Sequence, residues 1–147
     1  MQRDYRFFHQ LKVRYSEIDG QKIVFNAHYL TYLDIAVAEY FEEGLEIDLH
    51  KLSEDGSFDF VLAKSTLEYK NSAQLGDWLT IWCKVARLGT SSFTMEFLIT
   101  RKEDDLPIVS AEIIYVSYNP ELRVSQPIPE FIREKVKSYE GEKSHLS

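Results

Sequence analysis

Asp19 sits alone in the turn Asp19-Gly20-Gln21-Lys22, is followed at once by the apolar run Ile23-Val24-Phe25, and stands just ahead of Asn26-Ala27-His28, where a helical pattern begins. By residue type an acid in a turn is a cap, its oxygens accepting nearby backbone N–H groups. Its neighbours support a second reading. A carboxylate at the mouth of a partly dry pocket, beside the unpaired N–H groups that open a helix, presents a base or nucleophile together with dipoles that polarise a carbonyl. In that arrangement the N–H groups of Ala27 and His28 are the donors, and the side chain of Asn26 caps the helix by accepting another N–H of the first turn.

Other candidates each carry a plainer alternative. His28 is an ordinary residue for a helix start or a catalytic imidazole that the helix N-terminus keeps neutral. Glu17, two residues before Asp19, shares a proton with it if both point the same way, and is otherwise a solvated acid at a strand end. Arg87 and the turn Gly89-Thr90-Ser91-Ser92 have the guanidinium and small hydroxyls that suit a phosphate, and equally the composition of a hairpin turn. Lys64, Lys70, Arg101 and Lys102 are further phosphate candidates or simply solvated strand charges. The single cysteine, Cys83, alternates with Ile81 and Val85 and reads as a small buried hydrophobe. The histidines, at 9, 28, 50 and 145, have no metal-ligand spacing, so no metal is expected.

Positioning these groups requires a strand, a helix and a sheet. Leu11, Val13 and Tyr15 alternate with Lys12, Arg14 and Ser16, which predicts a first strand with one buried face. Leu30, Leu33, Val37, Tyr40 and Phe41 repeat at three and four, widened by Tyr29, Tyr32 and Ala36, which predicts a helix over 27–44 stopped by Gly44. So broad an apolar face implies a helix wrapped by a sheet. Glu39, Glu42 and Glu43 crowd its C-terminal turns, where the helix dipole disfavours negative charge, with no cation nearby in sequence. The polar stretch after Gly44 ends in Asp55-Gly56, a turn dipeptide. Strands follow at about 58–71, 77–88, 91–102 and 108–118, separated by connections short enough for antiparallel hairpins. Leu79, Ile81, Cys83 and Val85, and then Phe93, Met95, Phe97 and Ile99, line one apolar face that needs the helix as its cover. Phe131, Ile132 and Val136 predict a short amphipathic C-terminal helix, with the residues after Gly141 frayed.

At 147 residues the chain reads as one domain, 1–147, with a single core. Its net charge of −7 argues against binding a nucleic-acid backbone, which many lysines and arginines must neutralise. No apolar run reaches the roughly 20 residues of a membrane span. The N-terminus has no apolar signal core, so the expected location is cytoplasmic.

The order strand, long buried helix, four antiparallel strands is that of the hot-dog fold, and the residues sharpen the likeness. RYSEIDGQKIVFNAHYLTYLDIAVAEYF resembles the signature of the 4-hydroxybenzoyl-CoA thioesterase-like family, roughly Y-x-D-x-D-x-x-G-[IV]-V-[FY]-x-x-x-Y ahead of a helix rich in aromatic residues and acids. Looser similarity runs through Leu67-Glu68-Tyr69, Leu75-Gly76-Asp77 and Gly89-Thr90-Ser91-Ser92. The chain departs from the signature at Lys22 in place of glycine, at Glu17 as the earlier acid, and at Val37 in place of a common helix arginine. The resemblance implies an α+β hot-dog domain, a five-stranded antiparallel sheet wrapped around a long central helix, that hydrolyses an acyl-CoA thioester without a cofactor. It places the catalytic aspartate at Asp19 and the oxyanion donor at the backbone N–H of Asn26; His28, where the family varies, and Tyr29, Arg87 and Ser91 are the expected substrate contacts. The implied assembly is a homodimer or homotetramer with shared sites. An acyl-carrier-protein thioesterase, a non-catalytic acyl-binding protein and, third, a hydratase built on His28 and Asp19 are the alternatives.

Overall fold

The computed structural model describes residues 4–141. Its central strands follow the expected alternation. In β3 (Trp78–Leu88) and β4 (Ser92–Arg101), Leu79, Ile81, Cys83, Val85, Phe93, Met95, Phe97 and Ile99 are all buried on one face, and the antiparallel register places Ile81 opposite Ile99 and Cys83 opposite Phe97. Each large side chain removed from water there contributes about 1.5–3 kcal/mol. The cover is α1 (Ala27–Glu39), whose Tyr29, Tyr32, Leu33, Ala36 and Val37 are buried against the sheet. The Cys83 thiol donates to the Ala36 carbonyl at 3.9 Å, and burial pushes its pKa well up, as suits a core residue and not a nucleophile.

With β1 (Phe7–Lys12), β2 (Phe60–Tyr69) and β5 (Pro107–Asn119), the strands form one antiparallel sheet in the order β1-β3-β4-β5-β2. This is the hot-dog arrangement, a curled sheet around a helix. A two-residue strand, β6 (Val124–Ser125), adds to β5 and was not foreseen. The polar stretch before the Asp55-Gly56 turn holds a short helix, α2 (Leu49–Asp55), closed by Gly56 at φ +78°, and α3 (Glu130–Glu140) falls where the amphipathic signal put it. The expectation for the residues after Gly141 lies outside the described residues.

Two local expectations are corrected. The first strand lies earlier, ending at Lys12, because Tyr15–Glu17 close a 3-10 turn; Tyr15 is consequently 80% exposed where alternation had buried it. The helix widens at Tyr40–Gly44 into a π-type turn, which leaves Tyr40 and Phe41 both buried. Phe41 stacks on Phe60 at 5.3 Å and meets Phe93 edge-on at 6.1 Å, tying the end of the helix to the far end of the sheet. At α3 the carboxylate of Glu140 accepts from the Tyr40 hydroxyl and, at 3.1 Å, from the Val85 N–H. Val85 lies beyond Phe7, the first residue of β1, which pairs with Cys83, so Glu140 takes an N–H that the edge strand no longer reaches. Burial raises the pKa of this acid.

Candidate active site

The Asp19 turn is the tip of a small hairpin. The Asp19 N–H donates to the Ile23 carbonyl at 2.9 Å and the Phe25 N–H donates to the Glu17 carbonyl at 3.0 Å, either side of an Ile18–Val24 bridge. Val24 also donates to the Ala73 carbonyl at 2.9 Å, which locks the hairpin to the segment just before β3. Asp19 is half-buried, and its Oδ1 accepts the Gln21 N–H at 2.8 Å. The capping role is therefore present, and among the described residues it is the only hydrogen bond the carboxylate makes, so Oδ2 is open.

Lys22 closes this turn at φ +66°, the left-handed region, at the place where the resembling signature carries glycine. A side chain there costs about 1–2 kcal/mol. Lys22→Gly is expected to raise stability by about 0.5–1 kcal/mol in urea unfolding, after the extra freedom glycine gives the unfolded chain is deducted. A lower unfolding midpoint would mean that the lysine makes a contact outweighing the strain.

At the helix start the expectations need correcting. Asn26 is already helical, at φ −56° and ψ −30°, and its side chain makes no capping bond. The His28 N–H donates to the Phe25 carbonyl at 2.9 Å and the Tyr29 N–H to the Asn26 carbonyl at 3.3 Å. Among the described residues, the N–H groups left without a protein partner are therefore those of Asn26 and Ala27, not Ala27 and His28. His28 is half-buried with its ring edge-on to Phe25 at 6.2 Å. Tyr29 is buried; its hydroxyl accepts the Ala73 N–H at 3.1 Å and its ring lies 5.9 Å from that of Tyr69 at the end of β2. Burial raises its phenol pKa. The head of α1 is thus pinned at the β2 edge of the sheet.

Arg87 and Ser91 are elsewhere. Arg87 is exposed near the end of β3, just past a bulge that follows Val85, whereas the Asp19 hairpin adjoins the start of β3. Along that strand the two ends are roughly 30 Å apart. The turn at 89–92 is tightly held: the Gly89 N–H donates to the Ser92 carbonyl at 2.7 Å, the Ser91 carbonyl accepts the Ser117 N–H at 2.7 Å, and Arg133 donates to the Gly89 carbonyl and, at 2.9 Å, to that of Thr90. A Cβ at Gly89 would meet Ser92 atoms at 3.0 and 3.1 Å, so any larger residue there makes Ser92 give way by a few tenths of an ångström. Within one chain Asp19, Asn26, His28 and Tyr29 come together, and Arg87 with Ser91 forms a separate group.

Glu17, read from sequence as a solvated acid or a proton-sharing partner of Asp19, is neither. Its side chain is buried, with Oε1 accepting the Arg14 N–H at 2.9 Å and the Tyr32 hydroxyl at 2.8 Å, and Oε2 accepting Arg14 Nε at 3.0 Å and Nη2 at 2.6 Å. Burial works to raise its pKa, but the hydrogen bonds from Arg14 and Tyr32 outweigh it and hold the carboxyl below its usual range. In turn, burial and the Glu17 charge drive the Tyr32 phenol pKa up. Only the i,i+3 spacing of Arg14 and Glu17 hinted at this in sequence; Tyr32 was hidden in the apolar stripe of the helix.

A family model described as "Thioesterase superfamily" matches residues 21–108, from just after Asp19 through most of the sheet. The chain belongs to the thioesterase superfamily. It is accordingly a thioester hydrolase. No curated protein matches its sequence. Among solved structures, it is similar to a Thermus thermophilus thioesterase determined with coenzyme A and zinc, at 27% identity and TM-score 0.81 over 95% of this chain and 97% of that one. It is similar also to YbaW, a probable thioesterase of Escherichia coli, at 26% identity and TM-score 0.76 over 92% and 100%. A 1,4-dihydroxy-2-naphthoyl-CoA thioesterase from Synechocystis shares the fold at 18% identity and TM-score 0.81, covering 88% and 94%. Among the described residues no group of three or more His, Cys, Asp or Glu is placed to hold a metal, and no helix is long and apolar enough to cross a membrane.

Proposed function

We propose that the chain hydrolyses an acyl-CoA thioester in the cytoplasm, with Asp19 as the catalytic carboxylate and the N–H groups of Asn26 and Ala27 as the oxyanion donors. The observation that carries this reading is the pairing of an open carboxylate oxygen with two unpartnered N–H groups at the head of one helix. The thioester carbonyl oxygen lies on the two N–H groups, where the helix dipole stabilises the charge that develops as the carbonyl carbon turns tetrahedral. Asp19 either takes the proton of an attacking water or attacks the carbon itself to form an anhydride that water then opens. In both routes the C–S bond breaks, the thiolate leaves and is protonated from solvent, and the free acid remains. His28 and Tyr29 border the acyl group in this reading, with Tyr29 acting mainly through its anchored hydroxyl.

The coenzyme A carrier is supported by the Thermus relative, which was determined with that ligand. Arg87 and the Ser91 turn are the proposed contacts for its phosphates. They lie too far from Asp19 to serve the same chain's carbonyl, so the reading requires a second copy, as a dimer or a dimer of dimers. The test is hydrolysis of a panel of thioesters, from short to long acyl and aromatic groups on coenzyme A, pantetheine and acyl-carrier protein, followed by release of free thiol. Turnover concentrated on the coenzyme A members is expected. Preference for the carrier-protein members would transfer the activity to the other carrier, and tight binding without turnover would leave an acyl-binding protein.

A further inference from the structure

An acid on a turn and a pair of N–H groups on a helix act on one carbonyl only while their spacing is held, and one side chain is bonded to the parts on both sides. Glu17 immediately precedes the bridge that carries Asp19, and its own carbonyl accepts the Phe25 N–H, the bond that leaves Asn26 and Ala27 as the next N–H groups in line. Its carboxylate, at 6% residue exposure, ties the chain at Arg14 to the body of α1 at Tyr32. We propose that Glu17 is the positioning residue of this site, holding the Asp19 turn and the donor end of α1 as one rigid unit through Tyr32 and Arg14. The proposal rests on the thioesterase mechanism given above and deepens it.

Glu17 is not itself the reacting acid. Four hydrogen bonds from two residues occupy its oxygens, and the Arg14 guanidinium covers Oε2. What it controls is geometry. Tyr32 reaches it from the second turn of α1, five residues beyond Ala27 and so roughly one and a half helical turns from the free N–H groups, and a shift at this contact moves the donors relative to Asp19. A misplacement of about 1 Å at a reacting centre costs up to about a hundredfold in rate. Substrate affinity, which draws on the whole pocket, changes far less.

The test is steady-state hydrolysis of the best thioester by the full chain, well below each variant's melting temperature. Glu17→Ala is expected to lower kcat at least about tenfold with KM within about twofold. Tyr32→Phe, which deletes one hydroxyl, should lower kcat about threefold or more. In Glu17→Gln the amide oxygen still accepts from the Arg14 backbone N–H and the Tyr32 hydroxyl, while the exposed Arg14 guanidinium turns away from the amide nitrogen, so most of the rate should return. The double variant Glu17→Ala with Tyr32→Phe should be no slower than Glu17→Ala, since both cut the same tether. Folded Glu17→Ala and Tyr32→Phe chains with kcat within twofold of wild type would overturn the proposal, as would a loss confined to KM or an additive double variant. If Glu17→Ala does not fold, Tyr32→Phe decides alone: a reduced kcat supports the tether and an unchanged one overturns it. A wild-type chain inactive on every thioester overturns the thioesterase mechanism and this role with it, whereas an active wild type with inactive Asp19→Asn and fully active Glu17 and Tyr32 variants overturns the role alone.

Discussion

Asp19→Asn is expected to lose at least about a hundredfold in thioester turnover while keeping its fold and its affinity for ligand, the usual scale for removing a positioned acid or base. The separation of the two effects follows from the two oxygens. Asparagine keeps an oxygen where Oδ1 accepts the Gln21 N–H, so the turn, and with it the hairpin that carries Ile18 and Val24, stays closed. What it cannot do is take a proton from water or attack a carbonyl carbon. Thiol release with and without the substitution measures the loss, and circular dichroism with product-inhibition constants checks that fold and binding survive. An Asp19→Asn enzyme running at near wild-type rate would show that Asp19 only caps its turn. The chemistry would then have to come from another group at the head of α1, with His28 the nearest candidate.

The sheet was legible because its strands bury one face: the alternations through Leu79 to Val85 and Phe93 to Ile99 are period-two patterns with few other solutions. The acid turn and the helix start were legible as a unit because turn residues, an apolar run and a helical stripe follow one another within a few positions. What failed was whatever depends on a partner distant in sequence or on backbone detail. Tyr15 continues the alternation of Leu11 and Val13, yet the hydrogen bond from the Glu17 N–H to the Arg14 carbonyl turns the chain there and exposes it. Asn26 has the side chain of a cap, but the Phe25 carbonyl already receives the His28 N–H, so the helix begins one residue sooner and the free donors shift back. Glu17 was misread for the same reason. A buried acid is invisible in sequence until its hydrogen-bonding partners, here Arg14 and Tyr32, are brought around it.

The second large effect is expected from assembly. β2 closes one edge of the sheet with ten residues, and α1 does not cover it: Val61 to Thr66 are all exposed, with Leu62 at 48%, and so is Tyr69, at 57%. A long unpaired edge that exposes Val61, Leu62 and Tyr69 is a liability that proteins remove by pairing or covering. Antiparallel pairing of β2 with the same strand of a second copy does so, and it brings the Tyr69 end of one chain, where the head of α1 is anchored, beside the Phe60 end of the other. From there β5, β4 and β3 of the second copy follow in order, so its Arg87 stands about three strand spacings, roughly 15 Å, from the shared edge. An extended nucleotide-bearing thioester would be long enough to bridge that interval. Each site would then take Asp19 from one chain and Arg87 from its neighbour. Neutralising Arg87 is expected to raise KM for acyl-CoA and leave short pantetheine thioesters nearly unaffected. Co-expression of Asp19→Asn with Arg87→Ala should restore activity on acyl-CoA in mixed dimers, because one of their two sites receives both native residues. Light scattering comes first: a stable, active monomer at micromolar concentration rules the shared site out, and a dimer whose mixed form, assayed at acyl-CoA well below the raised KM of Arg87→Ala, is no more active than that parent would place Arg87 outside it.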